Sequence, residues 1–311
     1  MRHRLEYVAV ALVALMVRAL PLPMVRRLGE ALGLMFYLVD RVHLRIALAN
    51  LEVAFPKRSM DECRVIAKSM FQHFGRLLLE LLKYSSLSRE RQMALVEWEG
   101  EERVRLALAQ GKGILFCTGH FGFWEQQALA HALKFAPMAV MARPLDNPKL
   151  HDLLERIRTS NGNEVVYRRG AVRKALRLLS EGKGVGILID QHMTSADAIY
   201  VDFFGRPAAT TSTLAALAMR TGAPVIPLFA FPIPGGRYRM IYEHPVEPPH
   251  DSEDAIREFT QRCTDVLEMH VRHHPELWLW MHRRWRDAPG PALDAAPGMF
   301  PSAKADLEAD A

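Results

Sequence analysis

The segment Lys112–Thr118 constrains the fold of this chain more than any other. Its sequence, KGILFCT, is a short apolar run opened by a glycine, which is typical of a buried β-strand. The segment that follows, Phe121–Phe135, places Trp124, Leu129 and Leu133 so that they can share one face of a helix. A strand that leads directly into a helix indicates an α/β fold.

The same alternation continues along the chain. Further helices are predicted at residues 61–84, 100–110, 148–160, 172–181, 210–220 and 253–271. Further short strands are predicted at residues 139–142, 164–167, 185–189, 225–231 and 237–242. We therefore expect an α/β fold with a largely parallel central sheet flanked by helices, preceded by an N-terminal membrane-associated helical segment.

A histidine follows the first strand, at a position where α/β proteins bind ligands. His120 comes directly after Gly119, and Glu125 lies in the first turn of the next helix. The carboxyl ends of strands in an open α/β sheet line the ligand crevice. An imidazole near a carboxylate can take a proton from a weak nucleophile such as a hydroxyl group. Spacing alone leaves a second interpretation open, in which Glu125 caps the helix and the backbone satisfies His120.

The composition is that of a chain with one large core. It has 311 residues, of which 50% are hydrophobic. The formal net charge of +5 suits an anionic surface or an acidic protein partner. Cys63, Cys117 and Cys263 are far apart and have no metal-ligand spacing, so we expect buried, reduced thiols. No P-loop is present, and we expect no cofactor and no metal.

Residues 1–40 are predicted to anchor the protein to a membrane. The run Tyr7–Val17 carries no charge, but Arg18 and Pro21 follow it. This run is short for a spanning helix, which needs about twenty apolar residues. Residues 28–39 are amphipathic, so the prediction is a helical hairpin seated at the cytoplasmic face of the inner membrane. A helix pair in the core of a soluble protein is the alternative.

Several short blocks occur in an order that resembles a known family. The blocks are Arg45–Pro56 (RIALANLEVAFP), Gly119–Glu125 (GHFGFWE), Arg143–Pro148 (RPLDNP), Ile189–Gln191 (IDQ), Val201–Thr210 (VDFFGRPAAT), Ala223–Pro227 (APVIP) and His274–Trp285 (HPELWLWMHRRW). Together they resemble the bacterial lipid A biosynthesis acyltransferases of the lauroyl and myristoyl type, within the lysophospholipid acyltransferase-like superfamily. The resemblance runs from about residue 41 to residue 286.

This resemblance implies a membrane-associated O-acyltransferase. It would move a fatty acyl chain from an acyl thioester, carried by acyl carrier protein or CoA, to a hydroxyl of an anionic glycolipid, first of all a lipid A precursor. His120 would remove the hydroxyl proton, and Glu125 would orient and stabilise the imidazolium. Residues 41–287 would form the catalytic domain, and residues 288–311 a disordered tail. The partners would include the membrane and no nucleic acid.

Two further charged residues gain a role from the resemblance. Arg143 is expected to contact a phosphate or the thioester region, because a guanidinium matches phosphate geometry. A salt bridge from Arg143 to Asp146 or Asp152 is the alternative. Asp190 ends an apolar strand, where a carboxylate is costly without a partner, and is expected as a second acid opposite Arg143. A turn cap is the alternative for Asp190.

The remaining candidates are an aromatic loop and two basic clusters. Phe204 and Gly205 resemble the family's Phe-Gly-x-Pro loop and are expected to line the acyl channel. Arg168, the first residue of one basic cluster, is expected to bind substrate. Each cluster is either a solvated helix face or a docking surface for acidic acyl carrier protein or lipid phosphate. The clusters are Arg168, Arg169, Arg173, Lys174 and Arg177, and Arg272, Arg283, Arg284 and Arg286.

Other functions stay open at this point. An acyltransferase for phosphatidylinositol mannoside, or for another phospholipid or glycolipid, that uses acyl-CoA shares the His-x4-Glu pattern. A catalytically silent membrane-binding homologue is the alternative from a different class, although intact His120, Glu125, Arg143 and Asp190 favour an enzyme. Because no Gly-x-Ser-x-Gly motif is present, no covalent acyl-enzyme is required.

Overall fold

Five helices precede the sheet in the described part of the computed structural model, which covers residues 2–167, 170–194, 198–250 and 252–286. They are α1 Arg2–Ala19, α2 Leu22–Val39, α3 Arg41–Ala54 and α4 Met60–Tyr84, followed by the short helix α5 Arg89–Ala94. Residues 1–40 contain the two helices α1 and α2, and both pack against α4. Helix α4 begins with a capping box, in which Ser59 and Glu62 satisfy each other's backbone N–H groups.

The described residues form nine strands: β1 Val96–Glu99, β2 Ile114–Thr118, β3 Met138–Ala142, β4 Glu164–Tyr167, β5 Gly184–Leu188, β6 Ala198–Phe203, β7 Arg206–Thr211, β8 Val225–Ile233 and β9 Arg237–Tyr242. Seven of them make one sheet in the order β1-β9-β8-β2-β5-β3-β4. Every neighbouring pair is parallel except β8 and β9, and β6 pairs with β7 in a separate antiparallel hairpin. The predicted largely parallel sheet is confirmed.

Helices cover both faces of the sheet. Strand β2 needs this cover because its apolar side chains point to both faces. The remaining helices are α6 Glu101–Ala109, α7 Trp124–Lys134, α8 Pro148–Thr159, α9 Ala171–Ser180, α10 Thr213–Thr221 and α11 Ala255–His273. Leu115 and Cys117 of β2 face the larger core, which contains α3, α4, α9, α10 and α11. Ile114 and Phe116 face the opposite core, with α6 and α7. Successive residues of a strand point to opposite faces, so β2 is buried on both sides.

All six predicted strands of the sheet are present, but other elements were missed or misplaced. Strand β1, the hairpin β6–β7 and the helices α3 and α5 were not predicted. The helix predicted to start at Thr210 is wrong at its beginning, because Thr210 lies in β7 and α10 starts at Thr213. The side chain of Thr210 is completely buried and accepts a hydrogen bond from distant Arg284. The strand conformation at Thr210 therefore depends on the tertiary contact with Arg284, which the local sequence pattern does not indicate.

Helix α2 lies against α4 at a contact made of glycines. A Cβ atom built on Gly33 would lie 2.1 Å from the carbonyl oxygen of Phe71, and one built on Gly75 would lie 2.4 Å from the carbonyl oxygen of Gly29. The two backbones approach closely because these positions have no side chain. Beside this contact, buried Glu80 of α4 forms an ion pair with Arg26 of α2 and accepts a hydrogen bond from Tyr238 of β9. Helix α2 is thus attached to both α4 and the sheet.

None of the described helices is long and apolar enough to cross a membrane. Residues 288–311, for which a disordered tail is predicted, lie outside the described residues.

We expect Gly33→Ala to destabilise the protein. The added methyl group would overlap the backbone of α4, so the helices must separate or distort, and overpacking of this kind costs about 1–3 kcal/mol. Urea unfolding measured by circular dichroism gives the change in free energy of unfolding. Ala31→Leu, on the exposed side of α2, serves as the control and should change that free energy much less. An unchanged unfolding midpoint for Gly33→Ala contradicts this account.

Candidate active site

His120 and Asp190 meet at the carboxyl ends of two neighbouring parallel strands. His120 follows β2 and Asp190 follows β5, and these strands pair in register from Ile114 with Gly184 to Thr118 with Leu188. His120 Nδ1 lies 2.9 Å from Asp190 Oδ1, and the backbone N–H of His120 donates to Asp190 Oδ2 at 2.6 Å. The carboxylate therefore holds both the backbone and the ring of the histidine.

Asp190 is a buried carboxylate with several donors around it. Its side chain is 2% exposed, and Trp278 Nε1 donates to Oδ2 at 2.8 Å. Burial opposes its ionisation, but the nearby His120 and the hydrogen bonds from His120 and Trp278 outweigh this and hold the pKa of Asp190 below its usual value. Since an ionised carboxylate only accepts, Nδ1 of His120 carries a proton, and in the neutral ring Nε2 is the acceptor.

Gly119 makes room for this carboxylate. A Cβ atom at position 119 would lie 2.9 Å from Asp190 Oδ2 and 3.0 Å from a methyl group of Leu267. The glycine is therefore needed for the close approach between the end of β2 and Asp190.

Glu125 is not the carboxylate that orients His120. It lies in the first turn of α7, where both of its oxygens accept from the guanidinium of Arg158 in α8, at 2.9 and 2.5 Å. Burial disfavours the charge of Arg158, but the Glu125 carboxylate outweighs it and raises the pKa of the guanidinium. The short spacing in the sequence favoured Glu125 as the partner of His120. In the structure, the carboxylate that hydrogen-bonds to His120 is that of Asp190, seventy residues away.

Two cavities of different character meet beside His120. The larger has a volume of about 820 Å³ and is lined in part by His120, Arg143 and Arg158. The second, of about 640 Å³, lies between α2, α4 and α7 and is mainly apolar. Three residues line both cavities: Trp124, Glu125 and Gln191. Gln191 Nε2 lies 3.3 Å from His120 Nε2, so the acceptor nitrogen of the histidine is at their junction.

Arg143 lies at the rim of the larger cavity rather than inside it. Its guanidinium is 3.8 Å from Asp146 Oδ1, and the two side chains are 89% and 93% exposed. An exposed pair at this distance contributes at most about 1 kcal/mol. The expectation that Asp190 lies opposite Arg143 is not met, because Asp190 faces His120 and Trp278 instead.

The aromatic loop lies outside both cavities. Phe204 and Gly205 form the β6–β7 turn, with φ angles of 59° and 74°. The Phe204 ring is buried and packs edge-on against Phe55 and Trp280. Neither residue lines the two cavities beside His120, and their part in an acyl channel stays a prediction. Arg168, the other predicted binding residue, lies outside the described residues.

The segment Leu277–Trp285 supports the site, a role that sequence reasoning missed. Leu279 donates its backbone N–H to the carbonyl of His120, and Gly122 donates to the carbonyl of Leu277. Asn50 of α3 donates to the carbonyls of Trp280 and His282, both at 2.7 Å. The block of tryptophans resembling the family was visible in the sequence, but its contact with His120 was not.

Arg284 of this segment is a correction to the predicted basic surface cluster. It is 1% exposed, and it donates to the carbonyl of Ala209 and to Thr210 Oγ1, both at 2.5 Å. Burial lowers its pKa to about 10. Arg284 is therefore a buried structural cation, while Arg286 two residues later is exposed.

The three cysteines lie in the interior of the protein. Cys63, Cys117 and Cys263 are buried free thiols, as predicted. Among residues 2–167, 170–194, 198–250 and 252–286, no group of three or more His, Cys, Asp and Glu side chains could hold a metal ion.

Comparisons with known proteins agree with the motifs. The family model described as bacterial lipid A biosynthesis acyltransferase matches residues 1–287. The chain is 28% identical to the lipid A biosynthesis lauroyltransferase of Escherichia coli K12 over 291 residues, which cover 93% of each chain. It is 25% identical to the lipid A biosynthesis myristoyltransferase of the same organism, over 83% of this chain and 79% of that protein. The lipid A biosynthesis palmitoleoyltransferase of E. coli K12 is 24% identical over 87% of each chain.

We expect Gly119→Ala to disturb the His120–Asp190 hydrogen bond. The new methyl group would displace the Asp190 carboxylate, so Nδ1 of His120 would lose its preference for the proton. Long-range ¹H–¹⁵N NMR of the histidine rings should show one dominant His120 tautomer in the wild type and a mixture in the variant. In the control Gly186→Ala, on β5, the nearest atom is the flexible end of Met138, so the tautomer should stay unchanged. An unaltered His120 spectrum in Gly119→Ala contradicts the prediction.

Proposed function

The chain belongs to the bacterial lipid A biosynthesis acyltransferase family and is an acyltransferase, and we propose that it moves a fatty acyl chain from an acyl thioester to a hydroxyl of a lipid A precursor. The observation that carries this proposal is the His120–Asp190 pair. Asp190 holds the proton on Nδ1, so that Nε2 of the neutral ring can act as a base where the two cavities meet. Such a site suits a reaction between a phosphorylated glycolipid and an acyl chain.

The proposed reaction uses His120 as a general base. Nε2 takes the proton from the acceptor hydroxyl as its oxygen attacks the thioester carbonyl, and the carbonyl π electrons move to oxygen. The tetrahedral intermediate then reforms the C=O bond and breaks the C–S bond. The leaving thiolate takes the proton back from the imidazolium. Asp190 stabilises the positive ring because its buried carboxylate already bonds Nδ1.

Glu125 takes a different part in this proposal from the one expected from the motif. It forms a wall common to both cavities, and Arg158 balances its charge, so it shapes the entrance to Nε2. We assign the orienting role to Asp190 because its carboxylate bonds Nδ1 of the His120 ring, whereas the Glu125 carboxylate bonds Arg158.

The two cavities suggest how the substrates divide. The apolar cavity contains Phe71, Phe74, Leu77, Leu78 and Leu81, which suit a fatty acyl chain. The larger cavity has charged residues at its rim, where Arg143 is placed to contact a phosphate of the glycolipid or of the phosphopantetheine donor. Acyl carrier protein and acyl-CoA both present such a phosphate, so either donor fits this geometry.

Helices α1 and α2 support a seat on the inner membrane at its cytoplasmic face. Large apolar side chains are exposed along α1 at i, i+3, i+7 and i+10, and along α2 at a similar spacing, with basic residues near the helix ends. We call these side chains the apolar face: Leu5, Val8, Leu12, Leu15 and Met16 of α1, and Met24, Leu28, Met35, Leu38 and Val39 of α2. Phe36, within the α2 stretch, also lines the apolar cavity. A lipid tail can therefore pass from a bilayer to the site without crossing water.

In terms of organisation, we propose that residues 1–40 provide the membrane seat and residues 41–287 the catalytic domain. The glycine contact and the Arg26–Glu80 ion pair attach α2 firmly to the catalytic domain. Helix α1 buries only Ala14 and Val17 and is the part most free to serve the membrane.

We expect purified protein to transfer labelled acyl chains to a lipid A precursor, and His120→Ala to abolish this. Membrane lipid extracts are incubated with acyl carrier protein and CoA thioesters of several chain lengths, and the products are identified by mass spectrometry. Loss of the general base should lower the rate by about 10²–10⁴. His244→Ala, an exposed histidine outside the site, serves as the control and should keep full activity.

Each outcome of this experiment bears on the proposal. Acylation of a different phospholipid or glycolipid would replace the acceptor but keep the chemistry. Near-normal turnover by His120→Ala would overturn the mechanism. The parallel incubations with acyl carrier protein thioesters and with CoA thioesters show which of the two is the acyl donor.

We expect Leu12→Glu with Leu15→Glu to weaken membrane binding. Both side chains are about two-thirds exposed, at 63% and 66%, so the fold should tolerate the change, while charged side chains oppose insertion into a bilayer. Co-sedimentation with vesicles of phosphatidylethanolamine and phosphatidylglycerol measures binding. Leu106→Glu, at 68% exposure on α6, is the matched control and should bind like the wild type. If the double variant pellets as completely as the wild type, α1 is not the seat.

A further inference from the structure

Gln191 lies beside the ring of His120, where the two cavities meet. It follows Asp190, lines both cavities, and brings its side-chain Nε2 to 3.3 Å from His120 Nε2. His120, Asp190 and Gln191 thus form one connected set, in which each end of the imidazole has its own partner.

The orientation of the Gln191 amide follows from the proton on the histidine. Asp190 requires the proton on Nδ1, so His120 Nε2 is an acceptor and needs a donor opposite it. The amide nitrogen of Gln191, rather than its oxygen, therefore faces the ring. Without substrate, this N–H occupies the place of the acceptor hydroxyl, which must also donate to Nε2.

The backbone of Gln191 is held while its side chain is exposed. The next residue, His192, donates its N–H to His282 Nε2 at 2.7 Å. Burial lowers the pKa of His282 to about 4, so its ring stays neutral and can accept. Arg284 lies below the same turn, with Nη1 at 3.5 Å from the carbonyl of Gln191. Because the backbone is held and the side chain is exposed, the amide can move by a short distance and still point towards the site.

We propose that the side-chain amide of Gln191 is the oxyanion donor of this enzyme. When a hydroxyl binds His120 Nε2, it displaces the amide towards the thioester carbonyl. As the C–O bond forms, the negative charge develops on the carbonyl oxygen, and the Gln191 N–H donates to it. The charge returns to the carbon–oxygen bond when the C–S bond breaks and the thiolate leaves. This inference rests on the proposed function, since it needs a thioester carbonyl beside His120.

The test compares Gln191→Ala with the isosteric Gln191→Glu. Removing an oxyanion donor lowers kcat by about 10²–10³ with little change in KM. A carboxylate at this position keeps the size and shape of the glutamine but repels the oxyanion. The expected order of kcat is therefore wild type, then Gln191→Ala, then Gln191→Glu. Gln110→Ala, an exposed glutamine at the end of α6, is the control and should keep the wild-type kcat.

A purely structural role predicts the opposite order. If Gln191 only fills space, the isosteric Gln191→Glu should be more active than Gln191→Ala, and this result overturns the assignment. The same holds if both variants keep a kcat close to that of the wild type, or if only KM changes. Thermal unfolding of each variant confirms that the exposed substitution leaves the fold intact.

The substrates are the thioesters and lipid extract used for the His120 experiment. The results therefore distinguish a failure of the proposed function from a failure of the oxyanion assignment. If His120→Ala retains activity, the proposed function fails. If His120→Ala is inactive while Gln191→Ala and Gln191→Glu turn over normally, only the oxyanion assignment fails.

Discussion

The hydrogen bond between buried Asp190 and His120 is the interaction on which the rest of the site depends. An ionised carboxylate is costly to bury, and here the cost is offset by the N–H and Nδ1–H of His120 and by Trp278 Nε1. This arrangement decides which nitrogen of the imidazole carries the proton, and therefore which nitrogen is free to act as a base. Gly119 is the residue that lets the two strands bring these groups together.

The segment Leu277–Trp285 connects the parts of the chain that form the site. It bonds to the backbone of His120, to the Asp190 carboxylate and to Asn50 of α3, so it joins three distant parts of the chain. Buried Arg284 extends the same support to β7 through Ala209 and Thr210. Because the strand ends are loops, they would be free to move without this support. The tryptophans thus serve the chemistry indirectly, by fixing the carboxylate.

The helices before the sheet give the enzyme two kinds of surface. The glycine contact between α2 and α4 brings a helix with exposed apolar side chains close to the sheet, and the apolar cavity lies between these helices and α7. The opposite side of the junction is more polar and carries Arg143 at its rim. A site between an apolar and a charged compartment suits an enzyme whose substrates have both a lipid tail and a phosphate.

The sequence by itself determined the fold class, the strands of the parallel sheet except β1, and the family. These depend on local patterns: apolar runs, helical periodicity and short motifs that lie close together in the chain. It also placed His120 at a strand end, since a buried strand followed by a helix leaves few alternatives. The sequence could not identify the hydrogen-bonding partner of His120. Glu125 is close to His120 in the sequence, whereas Asp190 is close to it only in the folded structure. The tertiary structure decided that Asp190 orients the ring, that Phe204 is core and that Arg284 is buried. In each case a contact between distant segments outweighs the local pattern, because burial and hydrogen-bond geometry are set only when the strands and the closing segment come together.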